Sequence, residues 1–132
     1  MAASGTGTPG GGGLKLKYSA PIPGMDDVAA DFPNLTIILA HPGWPWINDQ
    51  IAVALHKPNV YIDLSGWLPR YIPKELIHES STRLNDKILF GSDYPFITPE
   101  RWLNDWKKLD ISEELEENIF LNNASKILGL KN

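Results

Sequence analysis

The sequence contains no cysteine among its 132 residues. This absence excludes disulfide bonds and thiolate ligands, so a metal site would have to be built from histidine, aspartate and glutamate. No apolar run approaches the roughly 18 residues that a membrane span requires. The first residues, MAASGTGTPGGGG, also lack the basic and apolar regions of a secretory signal peptide. We therefore expect no membrane association and a cytoplasmic location.

Clusters of lysine and arginine are absent as well, and the net charge is −4 with a pI near 5.3. A nucleic-acid-binding surface normally needs a concentration of positive charge, so this class of partner is not expected. A small-molecule partner fits better. The chain is 42% hydrophobic, which is enough for the packed core of a single domain.

Composition divides the chain into two parts. Residues 1–13 are almost entirely small or turn-forming and cannot bury enough apolar surface to offset the entropy lost on ordering. We predict a flexible Gly-rich segment over 1–13 and a folded domain over 14–132.

Three short apolar runs predict β-strands: LTIILA (Leu35–Ala40), NVYIDLS (Asn59–Ser65) and KILFGS (Lys87–Ser92). The segments before, between and after them have helical spacing, and a last amphipathic helix is predicted over 112–130. Parallel strands need a helical crossover, so this alternation predicts an α/β fold with a parallel sheet. The spacing suits an open doubly wound sheet or part of a barrel, and does not choose between them.

His41 and Asp93 occupy equivalent places in the motifs AHPG and SDYP, directly after a predicted strand and just before a proline. The carboxyl ends of parallel strands meet at one edge of the sheet, so the two side chains should lie on the same rim. Each residue alone is more often a turn cap than a ligand. Together, an imidazole and a carboxylate on one rim could bind a divalent ion or orient a water molecule.

The other polar candidates are weaker. His56 lies between a helix and the next strand, which places it on the opposite rim, and His78 falls within a helix. Asp63 lies inside a strand, where a backbone or tyrosine donor would account for it. We treat none of the three as a ligand.

Aromatic residues follow each predicted strand closely: Trp44, Trp46, Trp67, Tyr94 and Phe96. Rings at this rim could wall a pocket for an aromatic or unsaturated substrate, with Trp44, Trp67, Tyr94 and Phe96 as the expected lining. The alternative is that the tryptophans beside proline only pack the loops against the domain.

The motifs LTIILAHPGWPW, NVYIDLSGW, DKILFGSDYPF and NIFLNNASKILGL occur in this order, and together they resemble the C-terminal part of an amidohydrolase-related metal-dependent hydrolase. This group includes aminocarboxymuconate semialdehyde decarboxylase. The resemblance implies strands 6 to 8 of a (β/α)8 TIM-type barrel, with their flanking helices. It also implies that His41 is the catalytic histidine acting on metal-bound water, and that Asp93 is both catalytic and a metal ligand.

The family pattern further includes a His-x-His pair on the first strand and a metal histidine on the fifth, and this sequence has neither. We therefore expect an incomplete divalent metal site, with zinc as the metal, in a chain that is inactive alone. The resemblance implies hydrolysis or decarboxylation of a small carboxylated or aromatic substrate. The expected macromolecular partner is another copy of the chain or an absent N-terminal half. The alternative function is a non-catalytic α/β module that acts by association.

Overall fold

The computed structural model describes residues 2–3, 5–7, 10, 12–13 and 15–130. Its centre is a parallel sheet with strand order β1-β2-β3-β4. The strands are Ala2–Ala3 (β1), Ile37–Ala40 (β2), Val60–Asp63 (β3) and Ile88–Leu89 (β4). Neighbours in sequence are neighbours in the sheet, as expected when a helix connects each parallel strand to the next.

In the part of the chain that the structure describes, six α-helices accompany the sheet: α1 (Gly24–Asp31), α2 (Ile47–His56), α3 (Lys74–Ser80), α4 (Pro99–Trp106), α5 (Glu113–Glu117) and α6 (Asn123–Leu128). A π-helical turn over Asn118–Asn122 joins α5 to α6, so the last helix runs continuously, as the sequence predicted. Short 3-10 turns cover Leu16–Tyr18 and Pro69–Tyr71.

Local chemistry sets several helix ends. The Thr98 hydroxyl accepts from the Arg101 amide at 3.3 Å at the start of α4, and Ser112 does the same for Leu115 at the start of α5. At the end of α6, Gly129 adopts a left-handed φ of 64°, which a residue without Cβ reaches at little steric cost. These caps lie where the sequence places its hydroxyl and glycine residues.

The α/β fold and the three predicted strands are confirmed, although each strand is shorter than its apolar run. The structure adds β1, which the sequence analysis did not predict, paired with Leu39 and Ala40 of β2. The Gly5 amide donates to Ser19 O at 3.2 Å, and the Thr6 amide donates to Trp44 O at 3.0 Å. Flexibility over 1–13 stays a prediction, because Met1, Ser4, Thr8, Pro9 and Gly11 lie outside the described residues, as does Leu14.

Apolar side chains of the sheet pack against the surrounding helices in one core. Leu39, Val60, Ile62 and Ile88 of the strands are fully buried. Burying side chains of this size typically contributes about 1.5–3 kcal/mol each. This core fixes the strands, and hence the positions of the residues that follow them.

An aromatic cluster joins α4 to the terminal helix. Trp102 and Trp106, one helical turn apart, stack with ring centroids 5.2 Å apart, and Phe120 meets both rings edge-on. Phe90, directly after β4, packs against Trp102 with centroids 5.1 Å apart. The cluster anchors the chain on either side of the GSDYP segment.

The terminal helix also covers the outer side of β4. The Asn123 side-chain amide donates to Asn85 O and Ile88 O, each at 2.9 Å, and the Phe90 amide donates to Ile119 O at 3.1 Å. On the other side of β4, the amides of Ile62 in β3 and of Leu64 just after it donate to Lys87 O and Leu89 O. The helix therefore occupies hydrogen-bonding positions that an added strand would use.

Among the described residues, no helix is both long and apolar enough to cross a membrane.

Candidate functional site

His41 and Asp93 lie at the carboxyl-end rim of the parallel sheet. His41 follows Ala40, the last residue of β2, and Asp93 lies in the loop after β4. Both are half-buried, and they are the non-glycine residues of the described chain with positive φ, 75° at His41 and 70° at Asp93. Side chains rarely tolerate this conformation unless the surroundings enforce it. The structure thus gives the two residues a shared and uncommon backbone geometry.

The imidazole of His41 contacts the end of the neighbouring strand. Its Nδ1 lies 3.0 Å from the carbonyl oxygen of Ser65 and 2.9 Å from the Ser65 hydroxyl oxygen. Gly66 follows with a φ of 76°, and a Cβ at that position would lie 2.6 Å from Nδ1. Only a glycine lets the ring lie this close to the turn, because any other residue would collide with it.

The backbone of His41 is held from the other side by Gln50 of α2. The fully buried Gln50 donates from Nε2 to His41 O at 2.8 Å, and its Oε1 accepts from the Gly43 amide at 2.9 Å. One side chain therefore satisfies two backbone groups of the AHPG turn. Buried backbone groups of this kind require such partners.

Asp63 orders the Ser65 turn. Its carboxylate is buried at the end of β3, and Oδ1 accepts from the Ser65 amide at 2.5 Å. A backbone donor thus accounts for this carboxylate, as the sequence suggested. Gly91 packs closely on the same turn, since a Cβ there would lie 2.7 Å from Asp63 Oδ1 and 2.8 Å from Ser65 Cβ. The loop to Asp93 therefore begins against the residues that hold His41.

The remaining histidines lie away from this rim. His56 is the last residue of α2, just before β3 begins, and its Nδ1 lies 3.1 Å from Lys57 Nζ. His78 is an exposed residue of α3. At the end of the sheet where β3 begins, Lys87 donates to Ala54 O at 2.7 Å and to Lys57 O at 2.6 Å, and burial lowers the pKa of its amine.

The predicted aromatic lining is mostly exposed. Trp44 is 52% exposed, Tyr94 73% and Phe96 75%, whereas Trp67 is half-buried against the core. Two clefts of about 520 Å³ have other linings. One contains Tyr18, Ile22 and Trp46, and the other contains Arg70, Arg101 and Asp105. The substrate pocket stays a prediction.

Donors for a metal ion are few in the part of the chain that the structure describes. No group of three or more His, Cys, Asp or Glu side chains lies close enough together there to hold a metal. A catalytic zinc site uses about three protein ligands and an open position for water. The described residues do not amount to such a site.

A family model described as amidohydrolase matches residues 7–130. The chain belongs to the amidohydrolase family. No match was found among curated protein sequences. The recognition made from the motifs is therefore confirmed at the level of the family.

Solved structures give the same fold for this amidohydrolase chain. An uncharacterised TIM-barrel protein from Bordetella bronchiseptica is 30% identical, with a TM-score of 0.79 over 97% of this chain and 45% of that protein. A dihydroxybenzoic acid decarboxylase from Polaromonas sp. JS666, with bound manganese and the inhibitor 2-nitroresorcinol, is 22% identical, with a TM-score of 0.58 over 78% and 36%. Amidohydrolase 2 from Bifidobacterium longum subsp. infantis is also 22% identical, with a TM-score of 0.59 over 81% and 45%.

The chain spans less than half the length of each of these structures. Its sheet and helices are thus β/α units of a TIM-type barrel, as predicted from the resemblance. Sequence reasoning placed His41 and Asp93 at the rim but missed Ser65, Gly66 and Gln50 as the residues that contact His41. The alternation in VYIDLS, with Asp63 and Ser65 on one face, was the available signal for Ser65.

Proposed function

We propose that this amidohydrolase-family chain contributes the catalytic histidine and a metal-binding carboxylate to a hydrolase or decarboxylase. The observation that carries the proposal is the placement of His41 and Asp93. Both follow strands of one parallel sheet, at its carboxyl-end rim, in a backbone conformation unfavourable for ordinary residues. Enzymes of TIM-barrel fold build their active sites on that rim.

Asp93 is the residue we propose as a ligand of a divalent metal, with zinc as the metal expected from the family resemblance. The bound metal would supply an activated water or polarise a substrate carbonyl. Since the described residues contain no group of three donors, the proposed site needs histidines from a part of the barrel that this chain does not contain. Our proposal for His41 is that its ring accepts and returns a proton at the reacting centre.

A small carboxylated or aromatic molecule is the substrate class we propose. The Polaromonas neighbour, named as a dihydroxybenzoic acid decarboxylase, supports an aromatic acid by analogy of fold. The exposed rings of Trp44, Tyr94 and Phe96 support it as well, because they offer apolar faces near the rim. We propose action in the cytoplasm, on a small molecule rather than on nucleic acid, with another copy of the chain or an absent N-terminal half as the macromolecular partner.

The second candidate function is a non-catalytic module that acts by association. The scarcity of metal donors in the described residues favours it. On this alternative an exposed edge of the sheet would serve as the interface, and His41 and Asp93 would have structural roles only.

The test is calorimetric titration of zinc, and separately of manganese, into two samples. One is the isolated chain, and the other is the chain combined with the N-terminal part of the Bordetella bronchiseptica TIM-barrel protein, after circular dichroism has shown that the mixture folds. We expect weak binding to the chain alone and stoichiometric binding to the combination, abolished by Asp93→Ala. Exposed Asp110→Ala is the matched control and should have no effect.

A folded combination that binds no metal, or binds it equally well with Asp93→Ala, would contradict the proposed function and favour the module. Tight stoichiometric binding to the isolated chain that Asp93→Ala abolishes would show that the chain holds a full donor set, which would overturn our account of shared ligands.

A further inference from the structure

The turn formed by Ser65 and Gly66 lies against Nδ1 of His41. We propose that Ser65 is a positioning residue: its carbonyl oxygen keeps the hydrogen of the neutral imidazole on Nδ1, and the lone pair is therefore on Nε2. This inference rests on the proposed function for its catalytic meaning, but its geometry and its test are independent of any metal.

A carbonyl oxygen can only accept a hydrogen bond, whereas an imidazole nitrogen donates or accepts according to the tautomer. Ser65 O lies 3.0 Å from Nδ1. If Nδ1 carried the lone pair, two acceptors would face each other at hydrogen-bonding distance in a half-buried site. With the hydrogen on Nδ1, the same contact is a normal hydrogen bond, so the geometry favours this tautomer.

The Ser65 hydroxyl is a competing influence, because it lies 2.9 Å from Nδ1 and could donate to it. A donating hydroxyl would require the opposite tautomer and would leave the carbonyl contact repulsive. A hydroxyl hydrogen rotates to suit its surroundings, whereas the carbonyl oxygen is fixed. The Ser65 amide is bonded to Asp63 Oδ1 at 2.5 Å, which holds the turn in place.

Gly66 allows this contact. Its φ of 76° is accessible to glycine, and a Cβ there would lie 2.6 Å from Nδ1 and 3.0 Å from Cε1 of the imidazole. On the opposite side, Gln50 bonds to His41 O at 2.8 Å and fixes the backbone that carries the ring. The ring is therefore oriented by Ser65 and Gly66, and its backbone by Gln50.

The consequence is that the imidazole of His41 would take up and release a proton at the same nitrogen, Nε2. When Nε2 takes a proton from water or substrate, the ring becomes an imidazolium that still donates from Nδ1 to Ser65 O. A backbone carbonyl does not take up that proton, so the proton gained at Nε2 must leave from Nε2. His41 can then return the same proton to a substrate atom on the side from which it was taken.

Nitrogen-15 NMR on the full-length chain tests the tautomer directly. The pH is raised until the ring shifts of all three histidines no longer change, so that each ring is neutral when the spectra are recorded. We expect a pyrrole-type Nδ1 and a pyridine-type Nε2 at His41. The Nδ1–H tautomer should exceed the Nε2–H tautomer roughly tenfold, the ratio that a net hydrogen bond of about 1.4 kcal/mol gives. His56 and His78 are internal references, and His41 with a pyridine-type Nδ1 would overturn the proposal.

Substitutions separate the carbonyl from the hydroxyl. Ser65→Ala keeps the carbonyl and should leave the tautomer unchanged; a switch to the Nε2–H form in this variant would show that the hydroxyl decides. Gly66→Ala should displace the ring and reduce the Nδ1–H preference. Gly129→Ala is its matched control, because Gly129 also has a positive φ but a Cβ there meets nothing within 4 Å.

An unchanged His41 spectrum in folded Gly66→Ala would contradict the role of the turn. Because these measurements need no metal, substrate or second chain, their result is separate from the metal titrations that test the proposed function.

Discussion

The backbone at His41 and Asp93 carries a steric cost at the level of single residues. Their φ values of 75° and 70° bring Cβ close to a carbonyl oxygen, which costs about 1–2 kcal/mol for most residue types and less for aspartate and asparagine. Glycine would adopt the same turns without that steric cost. Aspartate, asparagine and histidine are the non-glycine residues most often found at such φ values, and the chain has an imidazole and a carboxylate there.

Substitutions at Asp93 should follow backbone preference. We expect Asp93→Gly and Asp93→Asn to stay within about 0.5 kcal/mol of the parent, and Asp93→Val to lose about 1–2 kcal/mol of unfolding free energy, because a β-branched side chain is least compatible with positive φ. Urea unfolding measures the series. Glu100→Gly, at an exposed position in α4, is the control and should be destabilising, because glycine is unfavourable within a helix. Equal stability of the valine and glycine variants at Asp93 would refute the strain.

Gln50 should be essential to the AHPG turn. Gln50→Leu keeps an apolar stem but leaves the Gly43 amide and His41 O without this partner in a buried place, so we expect a loss of about 2–4 kcal/mol in urea unfolding. Exposed Asn48→Leu on the same helix is the control. A loss below about 1 kcal/mol for Gln50→Leu would mean that other groups hold the turn.

Contacts between elements that are distant in sequence fix the loop after β3. Arg70, in the 3-10 turn, donates from its amide at 2.9 Å and from Nε at 2.8 Å to the buried carboxylate of Asp105 in α4, and its guanidinium also forms an ion pair with that carboxylate. The Arg70 hydrogen bond lowers the pKa of Asp105 from its usual value. The charged form of Asp105 is thus favoured by folding.

Acid should release this contact. A carboxyl group whose pKa is lowered by folding stabilises the protein above its unfolded value, about 3.9, and that stabilisation is lost as the pH falls through the lower folded value. We expect the unfolding free energy to fall more steeply below pH ~4 in the parent than in Asp105→Asn. Exposed Asp110→Asn should keep the parent's slope. Parallel curves for the parent and Asp105→Asn would contradict the assignment.

The terminal helix depends on Asn123, which is buried and bonds to Asn85 O and Ile88 O. We expect Asn123→Ala to lose about 2–3 kcal/mol in urea unfolding, because two backbone carbonyls lose their donor. Lys126→Ala, an exposed site on the same helix, should stay within about 0.5 kcal/mol. A similar small effect at Asn123 would show that water replaces its amide without penalty.

The success of prediction differed between elements for physical reasons. Leu35–Ala40, Asn59–Ser65 and Lys87–Ser92 contain strands because runs of apolar, often β-branched residues suit a sheet buried on both faces. β1 could not be predicted, because Ala2 and Ala3 have low strand propensity and pair only through the edge that β2 offers. His41 and Asp93 were found from their place after strands, whereas Gln50 required knowing that α2 packs beneath the turn.

For the whole molecule, the contacts of α4 and the aromatic cluster stabilise the loops at the carboxyl-end rim of the sheet. Trp102 and Trp106 are buried and stack with ring centroids 5.2 Å apart, and Trp102 contacts Phe90, at the start of the loop to Asp93. Aromatic pairs of this kind contribute about 0.5–1.5 kcal/mol beyond burial. The rim therefore rests on packed side chains that take no part in the proposed chemistry.

The helix that covers β4 also bears on how the protein behaves in concentrated solution. A strand edge with unpaired amides and carbonyls is a template on which fibrils grow. Here Asn123 and the carbonyl of Ile119 occupy that template, and an incoming chain must first detach the helix. For growth from the β4 edge, turbidity on storage should therefore begin when the last helix detaches, before the rest of the domain melts, and Asn123→Ala should shorten the lag before it.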